Sequence, residues 1–259
     1  MSLRIAIAGA TGRMGQALAA ACVRADDVNL VGATARGGAP AGDAAFVAPV
    51  FADAAEACAN ADVWIDFSAP DATSVALAQL ARTGVRAAVI GTTGLSPAQE
   101  AEIGAAAARL AIVRAENFSL GVTLLAALVE QATRRLDAGW DIEIIEAHHR
   151  GKADAPSGTA LLLGRAAAAG RGVSLDSVQA APRAGLTGPR TPGEIGFSSV
   201  RAGAIVGTHD VILASEHEVI RLGHEALDRA VFAEGALAAA RWAANRSPGL
   251  YSMRDVLGL

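Results

Sequence analysis

The chain has 259 residues, a length that favours two domains, each able to bury its own core. Hydrophobic residues make up 52% but aromatic residues only 4%, so we expect a core of small aliphatic side chains, as in helices packed on a parallel sheet. The 22 basic and 26 acidic residues are interspersed, which argues against nucleic acid and anionic membranes as partners. Because the sequence contains no signal-peptide pattern and no apolar run long enough to cross a bilayer, we expect a cytoplasmic protein.

The first half of the chain alternates short apolar runs with helical patterns. The predicted strands are Leu3–Ala8, Leu30–Thr34, Val63–Phe67, Ala87–Ile90 and Leu110–Arg114. The predicted helices are Arg13–Ala25, Ala72–Arg82 and Pro97–Ala108, the last capped by Ser96. This alternation predicts an α/β domain with a doubly wound, parallel sheet of the Rossmann type.

The pattern changes after Asn117. The predicted helices are Leu120–Leu136, one that is capped by Ser157 and runs to about Ala169, and Ala226–Ala244. The predicted strands are Asp141–Ala147, Ile195–Arg201, His209–Ser215 and Glu218–Leu222. Consecutive strands indicate an antiparallel or mixed sheet, so a separate α+β domain is predicted from about residue 118.

A glycine-rich segment follows the first predicted strand directly and opens the first helix. It reads Gly9-Ala10-Thr11-Gly12-Arg13-Met14-Gly15. The first glycine permits a tight turn, the second lets the backbone approach a pyrophosphate, and the third allows close packing of the helix on the strand. An ordinary βα turn is the alternative, but the strand–turn–helix context favours a dinucleotide site.

The end of the second predicted strand suggests which dinucleotide is bound. An acidic residue that accepts the adenosine ribose hydroxyl is expected there, but the sequence has Ala35 followed by Arg36. An arginine can pair with a 2′-phosphate, so we predict NADPH as the cofactor, with NADH possible. A solvated loop arginine is the competing interpretation.

Two further loops follow predicted strands of the same sheet. They are Gly91-Thr92-Thr93-Gly94 and Ala115-Glu116-Asn117-Phe118. Ligands of open α/β sheets bind outside the carboxyl ends of the strands, so both loops are candidates to contact the cofactor. Each loop taken alone is more often an ordinary turn.

The most informative segment lies in the second half, between Glu146 and Ala160. His148 and His149 stand beside Arg150 and Lys152, which is the only lysine of the chain. A lysine can lose its proton when it is desolvated whereas an arginine cannot, so a single lysine beside two histidines indicates chemistry. Directly downstream, Gly158 and Thr159 begin a helix whose free N–H groups can hold a carboxylate. The alternative is a solvated basic loop before a capped helix.

Several motifs together resemble the dihydrodipicolinate reductase family. They are GATGRMG, GTTG, ENFSLGV, EAHHRGKADAPSGTA, TPGEIGFSSVRAGAIVGTH and SPGLYSMRDVL, in this order across nearly the whole chain. The resemblance implies a dinucleotide-binding domain over 1–117 and 227–259, and a domain over 118–226 that binds substrate and builds a homotetramer.

The resemblance also implies the reaction and the roles of individual residues. NAD(P)H would reduce dihydrodipicolinate, formed from 4-hydroxy-tetrahydrodipicolinate, to tetrahydrodipicolinate in the diaminopimelate and lysine pathway. His148 would act in acid–base catalysis and Lys152 as proton donor, while His149, Gly158 and Thr159 would bind the carboxylates of this small dicarboxylate substrate. The sequence departs from the family at Ala35, where an acid is usual, and the loop Gly37–Phe46 looks shortened.

One feature of this assignment is in tension with strand geometry. Consecutive residues of a strand point to opposite faces, so His148 and His149 can face one site only if the strand ends there. Gly151 follows shortly afterwards and is consistent with such an end.

Other classes of protein fit the sequence less well. A short-chain dehydrogenase would need a Tyr-x-x-x-Lys motif, but the only tyrosine is Tyr251 and the only lysine is Lys152. A non-enzymatic nucleotide-sensing or assembly protein leaves the basic segment unexplained, and an activity assay distinguishes it. We expect no metal site, because no third ligand stands at a conventional spacing from the two histidines. Cys22 and Cys58 are expected to be buried packing residues.

Overall fold

The computed structural model describes residues 2–37 and 48–259, which form two compact units. The first unit combines Met1–Leu120 with Ala230–Leu259, and the second is Gly121–Arg229. In chain order, the elements are β1 (Leu3–Ile7), α1 (Arg13–Arg24), β2 (Val28–Thr34), β3 (Val50–Phe51), α2 (Ala54–Ala57), β4 (Val63–Asp66), α3 (Pro70–Leu80), β5 (Ala87–Ile90), α4 (Pro97–Ala106), β6 (Ala111–Arg114), α5 (Leu120–Arg135), β7 (Asp141–His148), α6 (Gly158–Gly170), α7 (Leu175–Val178), β8 (Ile195–Arg201), β9 (Gly207–Ala214), β10 (Val219–Ala226), α8 (Ala230–Ala243), β11 (Gly249–Tyr251) and α9 (Met253–Leu257).

The first unit contains a parallel sheet with the strand order β11-β6-β5-β4-β1-β2-β3. Every residue of the central strands β4 and β5 is buried, as expected for a parallel sheet covered on both faces. The strand order reverses at β1, which lies between β4 and β2. Such a switch point leaves a crevice at the carboxyl end of the strand, which is where the glycine-rich segment begins.

The last long helix, α8, packs within the first unit. Its Ala233, Ala236, Leu237 and Ala240 are fully buried in the same core cluster as Leu18 of α1. A side chain at Gly235 would place its Cβ 1.7 Å from the Phe118 carbonyl oxygen, so only a glycine allows this approach.

The second unit contains a sheet with the order β10-β9-β7-β8, in which β7 pairs in parallel with β8 and the other pairs are antiparallel. Helices α5 and α6 contribute Leu125, Val129 and Leu163 to the core that covers one face. The predicted fold class, a Rossmann-type parallel sheet plus an α+β part with a mixed sheet, is confirmed.

Three predicted boundaries are wrong for identifiable reasons. Helix α3 begins at Pro70 rather than Ala72, because proline suits the first helical position and Ala69 is the extended N-cap. Strand β10 continues to Ala226, which pairs with Gly207 of β9. The tail helix therefore begins at Ala230 rather than Ala226.

Two predicted strands, Ala87–Ile90 and Ile195–Arg201, have the predicted ends, and the remaining predicted elements differ by one or two residues. Five short elements were not predicted. The unpredicted elements are β3, α2, α7, β11 and α9. Each has two to five residues, which is too few to display a helical or strand period. Of the loop Gly37–Phe46, all residues after Gly37 lie outside the described part of the chain.

Two further observations limit the classes of site. Cys22 and Cys58 are buried and free, as predicted. Within 2–37 and 48–259, none of the helices combines the length and hydropathy that crossing a bilayer requires.

Candidate active site

The glycine-rich turn links β1 to α1 in the first unit. Gly9 has a φ of +69°, in the left-handed region that favours glycine. A Cβ on Gly15 would lie 2.1 Å from the Gly9 carbonyl oxygen, so the helix and the turn pack too closely for any side chain. No side chain caps α1 at Gly12 and its first turn has no acidic residue, which leaves the first N–H groups for an anion.

A cavity of about 870 Å³ opens beside this turn, a size typical of small-molecule sites. Its lining includes Gly9, Thr11, Gly12, Arg13, Met14, Gly15, Ala35, Arg36, Phe67, Ser68 and Ala69. Ala35 is buried whereas the Arg36 side chain is exposed at the rim. Ala10 of the same turn is fully buried and is not among the described residues that line the cavity. Uncapped N–H groups beside an arginine fit the phosphates of a dinucleotide.

The Gly91–Gly94 loop is held to this unit by a buried carboxylate. Asp66 accepts hydrogen bonds from the Ser68 amide (2.8 Å) and from the Thr92 hydroxyl (3.3 Å). The Thr92 hydroxyl also lies 2.8 Å from that of Thr73 and is buried, whereas Thr93 is exposed. The Thr92 side chain therefore holds the loop, whereas the Thr93 side chain is accessible to solvent.

The second candidate loop contributes mainly packing. The Phe118 ring is buried and meets the Phe67 ring edge-on, with centroids 5.1 Å apart. Asn117 accepts a hydrogen bond from the Ser119 amide at 2.8 Å, and only Glu116 of this loop is exposed. Among the described residues, those that line the 870 Å³ cavity include neither Gly91–Thr93 nor Ala115–Phe118.

In the second unit, a buried carboxylate organises the carboxyl end of β7. The Glu146 side chain is fully buried and forms two hydrogen bonds with the Arg201 guanidinium, of 2.6 and 2.8 Å. Its Oε2 lies 2.6 Å from His148 Nδ1, and its Oε1 accepts the Ser157 amide at 3.2 Å. One carboxylate thus connects the candidate acid–base histidine to the residue that starts α6.

A second buried histidine contacts this cluster from β9. His209 of β9 places its Nε2 3.0 Å from the Ser157 hydroxyl, which also accepts the Ala160 amide and so caps α6. The His148 and His209 rings meet edge-on with centroids 5.1 Å apart. The start of α6 is therefore fixed by contacts to β7 and β9.

The charges in this cluster follow from burial and from the neighbouring groups. Burial alone would raise the pKa of Glu146, but hydrogen bonds from Arg201, Ser199 and His148 outweigh it and lower the pKa to about 2. Burial, reinforced by the charge of His148, lowers the pKa of His209 to about 4. Glu146 is therefore ionised and His209 neutral at pH 7.

The predicted basic residues lie around the same strand end. His148 is the last residue of β7, so the strand ends before His149, as the proposed roles require. Lys152 donates to Asp154 at 2.8 Å, and Arg150 is exposed. Gly158 is exposed at the first turn of α6, with Thr159 beside it. Within the described residues, no group of three His, Cys, Asp or Glu side chains is arranged to hold a metal ion.

Glu146, Arg201, Ser157 and His209 complete the cluster, but the sequence did not assign them roles at the site. A pattern was nevertheless present, because Glu146 continues the inward alternation of Ile142 and Ile144. His209 likewise shares the inward face of β9 with Val211 and Leu213. A charged or titratable residue on a buried strand face requires a partner, and that requirement indicates a site.

The neutral, buried His209 predicts a pH-dependent stability. Between pH 6.5 and about 4, His209 is protonated in the unfolded chain but neutral in the folded protein. The free energy of unfolding therefore falls as pH decreases through this window. The slope from this residue approaches about 1.4 kcal/mol per pH unit within the window. His209→Gln should flatten the wild-type dependence, as measured by urea unfolding at a series of pH values. His217→Gln is the control, because His217 is 91% exposed. An unchanged slope in His209→Gln would show that this residue does not carry the dependence.

Comparisons with known proteins cover both units. Residues 3–118 match the model of the dihydrodipicolinate reductase N-terminus, and residues 121–257 match that of its C-terminus. The N-terminal match includes the glycine-rich turn. The family match and the geometry of this turn together support binding of a pyridine nucleotide.

Similar full-length proteins agree with these matches. The chain is 52% identical to a 4-hydroxy-tetrahydrodipicolinate reductase of Cereibacter sphaeroides, over 98% of each protein. It is 51% identical to the enzyme of that name from Parvibaculum lavamentivorans, over 99% of this chain and 98% of the relative. A dipicolinate-bound dihydrodipicolinate reductase from Paenisporosarcina sp. TG-14 superposes with a TM-score of 0.79 at 26% identity, covering 97% of this chain and 98% of that one. The chain belongs to the dihydrodipicolinate reductase family.

Proposed function

We propose that this protein is a 4-hydroxy-tetrahydrodipicolinate reductase, which uses NAD(P)H to form tetrahydrodipicolinate in the diaminopimelate and lysine pathway. The relatives that are about half identical over their full length carry this name, and a structural relative binds dipicolinate, a ring with two carboxylates. The observation that carries the proposal is the Glu146 carboxylate, which holds both His148 and the start of α6. The test is a coupled assay that follows oxidation of NADPH or NADH with freshly generated substrate.

In this proposal the two units bind different ligands. The part over 1–117 and 227–259 binds the dinucleotide, for which the glycine turn, Arg36 and the loops around Thr93 and Glu116 are candidate contacts. The part over 118–226 binds the substrate. The cytoplasm is the expected location of such a biosynthetic enzyme.

The bound cofactor supplies the hydride, so the protein must position the substrate and transfer one proton to it. Nδ1 of His148 is engaged by Glu146, which leaves Nε2 as the nitrogen that exchanges a proton with the substrate. Lys152 is the proton donor and stabilises the negative charge that develops on the substrate ring.

The substrate carboxylates are held by donors next to this pair. Gly158 and Thr159 present the first-turn N–H groups of α6, whose first turn contains no acidic residue. His149 adds a side-chain donor directly after β7. These contacts exist before and during the reaction, so they contribute to substrate binding more than to the rate of the chemical step.

We expect this protein to prefer NADPH, because Ala35 offers no acceptor for a ribose hydroxyl and Arg36 at the cavity rim can pair with the 2′-phosphate. Arg36→Ala should lower kcat/KM for NADPH by about 10–100-fold, the usual effect of losing a charged hydrogen bond, and leave NADH unaffected. Arg109→Ala is the matched control, since Arg109 is exposed in the same unit and does not line the cavity. A wild-type preference for NADH would contradict the assignment.

The two neighbouring histidines should respond differently to substitution. His148→Gln should lower kcat by about 10²–10⁴-fold, the range for a positioned acid–base group. His149→Gln should act mainly on KM, because a carboxylate contact is present in ground and transition states alike. Steady-state kinetics of both variants provide the measurement. Equal losses of kcat in the two variants would contradict the assignment of acid–base catalysis to His148 alone.

The substrate-binding part also builds a homotetramer in this proposal. Helices cover one face of its sheet, whereas the apolar side chains of Ile145, Val200 and Val219 on the other face are 36–52% exposed. Apolar residues on an open sheet face indicate an interface. Val200→Asp should shift the sedimentation equilibrium from tetramer towards smaller species, whereas Val173→Asp, at an exposed site outside the sheet, should not. A monomeric wild-type protein would refute the proposal.

A further inference from the structure

We propose that Glu146 is the positioning residue of the active site, which sets the tautomer of His148 and its distance from the start of α6. This inference rests on the proposed acid–base role of His148. Glu146 itself does not reach the substrate, because its side chain is fully buried.

Glu146 is a fixed, ionised hydrogen-bond acceptor. Arg201 contacts both carboxylate oxygens, and its guanidinium also donates to the Asp154 carbonyl at 2.7 Å. A buried carboxylate without such a partner would take up a proton. With Arg201 in place it carries no hydrogen of its own, so every other contact to it must come from a donor.

This acceptor determines the tautomer of His148. Since Glu146 Oε2 can only accept, the His148 nitrogen 2.6 Å away must be Nδ1–H. In the neutral ring, Nε2 then carries the lone pair. A Cβ at Gly207 would lie 3.1 Å from this Nε2, so the glycine keeps that edge of the ring clear of a side chain.

Glu146 also connects His148 to the proposed carboxylate-binding site at the start of α6. The other carboxylate oxygen, Oε1, accepts the Ser157 amide at 3.2 Å, directly before the first turn of α6. The two oxygens of one carboxylate group therefore fix the spacing between the proton-exchanging ring of His148 and the N–H groups at the start of α6. Such a fixed spacing accelerates the reaction of a bound substrate, because the reacting groups are already in the required geometry.

The test compares Glu146→Gln with Glu143→Gln. Glutamine keeps the shape of the side chain but can donate as well as accept, so the Nδ1–H tautomer is no longer enforced. Glu143 lies on the same strand, five residues before His148, and forms ion pairs with Arg183 at 2.8 Å and Arg190 at 3.0 Å. The variant at Glu143 thus controls for the loss of an ion pair on β7.

Two measurements are made on each variant. Nitrogen-15 NMR of histidine-labelled protein reports which ring nitrogen carries the proton when the ring is neutral, with His148→Gln used for assignment. Wild type and Glu143→Gln should show His148 as Nδ1–H, and Glu146→Gln should show a mixture of tautomers. In the coupled assay, Glu146→Gln should lower kcat by about 10²-fold. Its KM should change by less than about threefold.

The outcomes separate this inference from the proposed function. An Nε2–H tautomer in the wild type would overturn the inference whatever the enzyme catalyses. Wild-type kcat in Glu146→Gln would overturn it as well, whereas an inactive wild type would refute the proposed function and leave the tautomer measurement intact. If Glu146→Gln does not fold, Glu146→Asp replaces it, since it keeps the charge but shortens the reach. A retained Nδ1–H tautomer with a smaller loss of kcat supports the inference, and a loss as large as that of His148→Gln contradicts it.

Discussion

The second unit depends on one buried ion pair. Glu146 lies at the inward face of β7 with no exposure, and such a charge is tolerated only when it is neutralised and fully hydrogen-bonded. Arg201, 55 residues later in the chain, provides the charge, while His148 and the Ser157 amide use the remaining acceptor capacity. This carboxylate therefore holds the ends of β7 and β8 and the start of α6 together in the folded structure. Loss of Arg201 would leave an unpaired buried charge, which typically destabilises a protein by about 3–5 kcal/mol.

A steric constraint has the corresponding role in the first unit. The close approach of Gly15 to the Gly9 carbonyl brings the start of α1 against the end of β1 at the point where the strand order reverses. The uncapped N–H groups then face the cavity that Arg36 borders. In each unit the start of a helix lies at the candidate site, and the residues just before that helix are held by contacts within the unit.

Periodicity and glycine placement predicted much of the fold and the location of the site. The long apolar strands, the turn Gly9–Gly15 and the basic segment after β7 are local patterns, and the structure has them where the sequence indicates. The pairing of Glu146 with Arg201 was not predictable in this way, because it depends on which strands become neighbours. The same holds for His209, whose partner Ser157 is 52 residues away. The contacts of Thr92 were not predictable either, since its hydroxyl lies close to Thr73 and Asp66, which are 19 and 26 residues away in the chain.

The central claim is that Glu146 acts through His148, and a double-mutant cycle on kcat tests it most directly. If the carboxylate serves only to orient that ring, Glu146→Gln should have little further effect once His148 has been replaced. The double variant is then expected to have the kcat of His148→Gln alone, within about threefold. Independent roles would make the two losses multiply, so a double variant slower than His148→Gln by the full factor of the Glu146→Gln variant would contradict the claim.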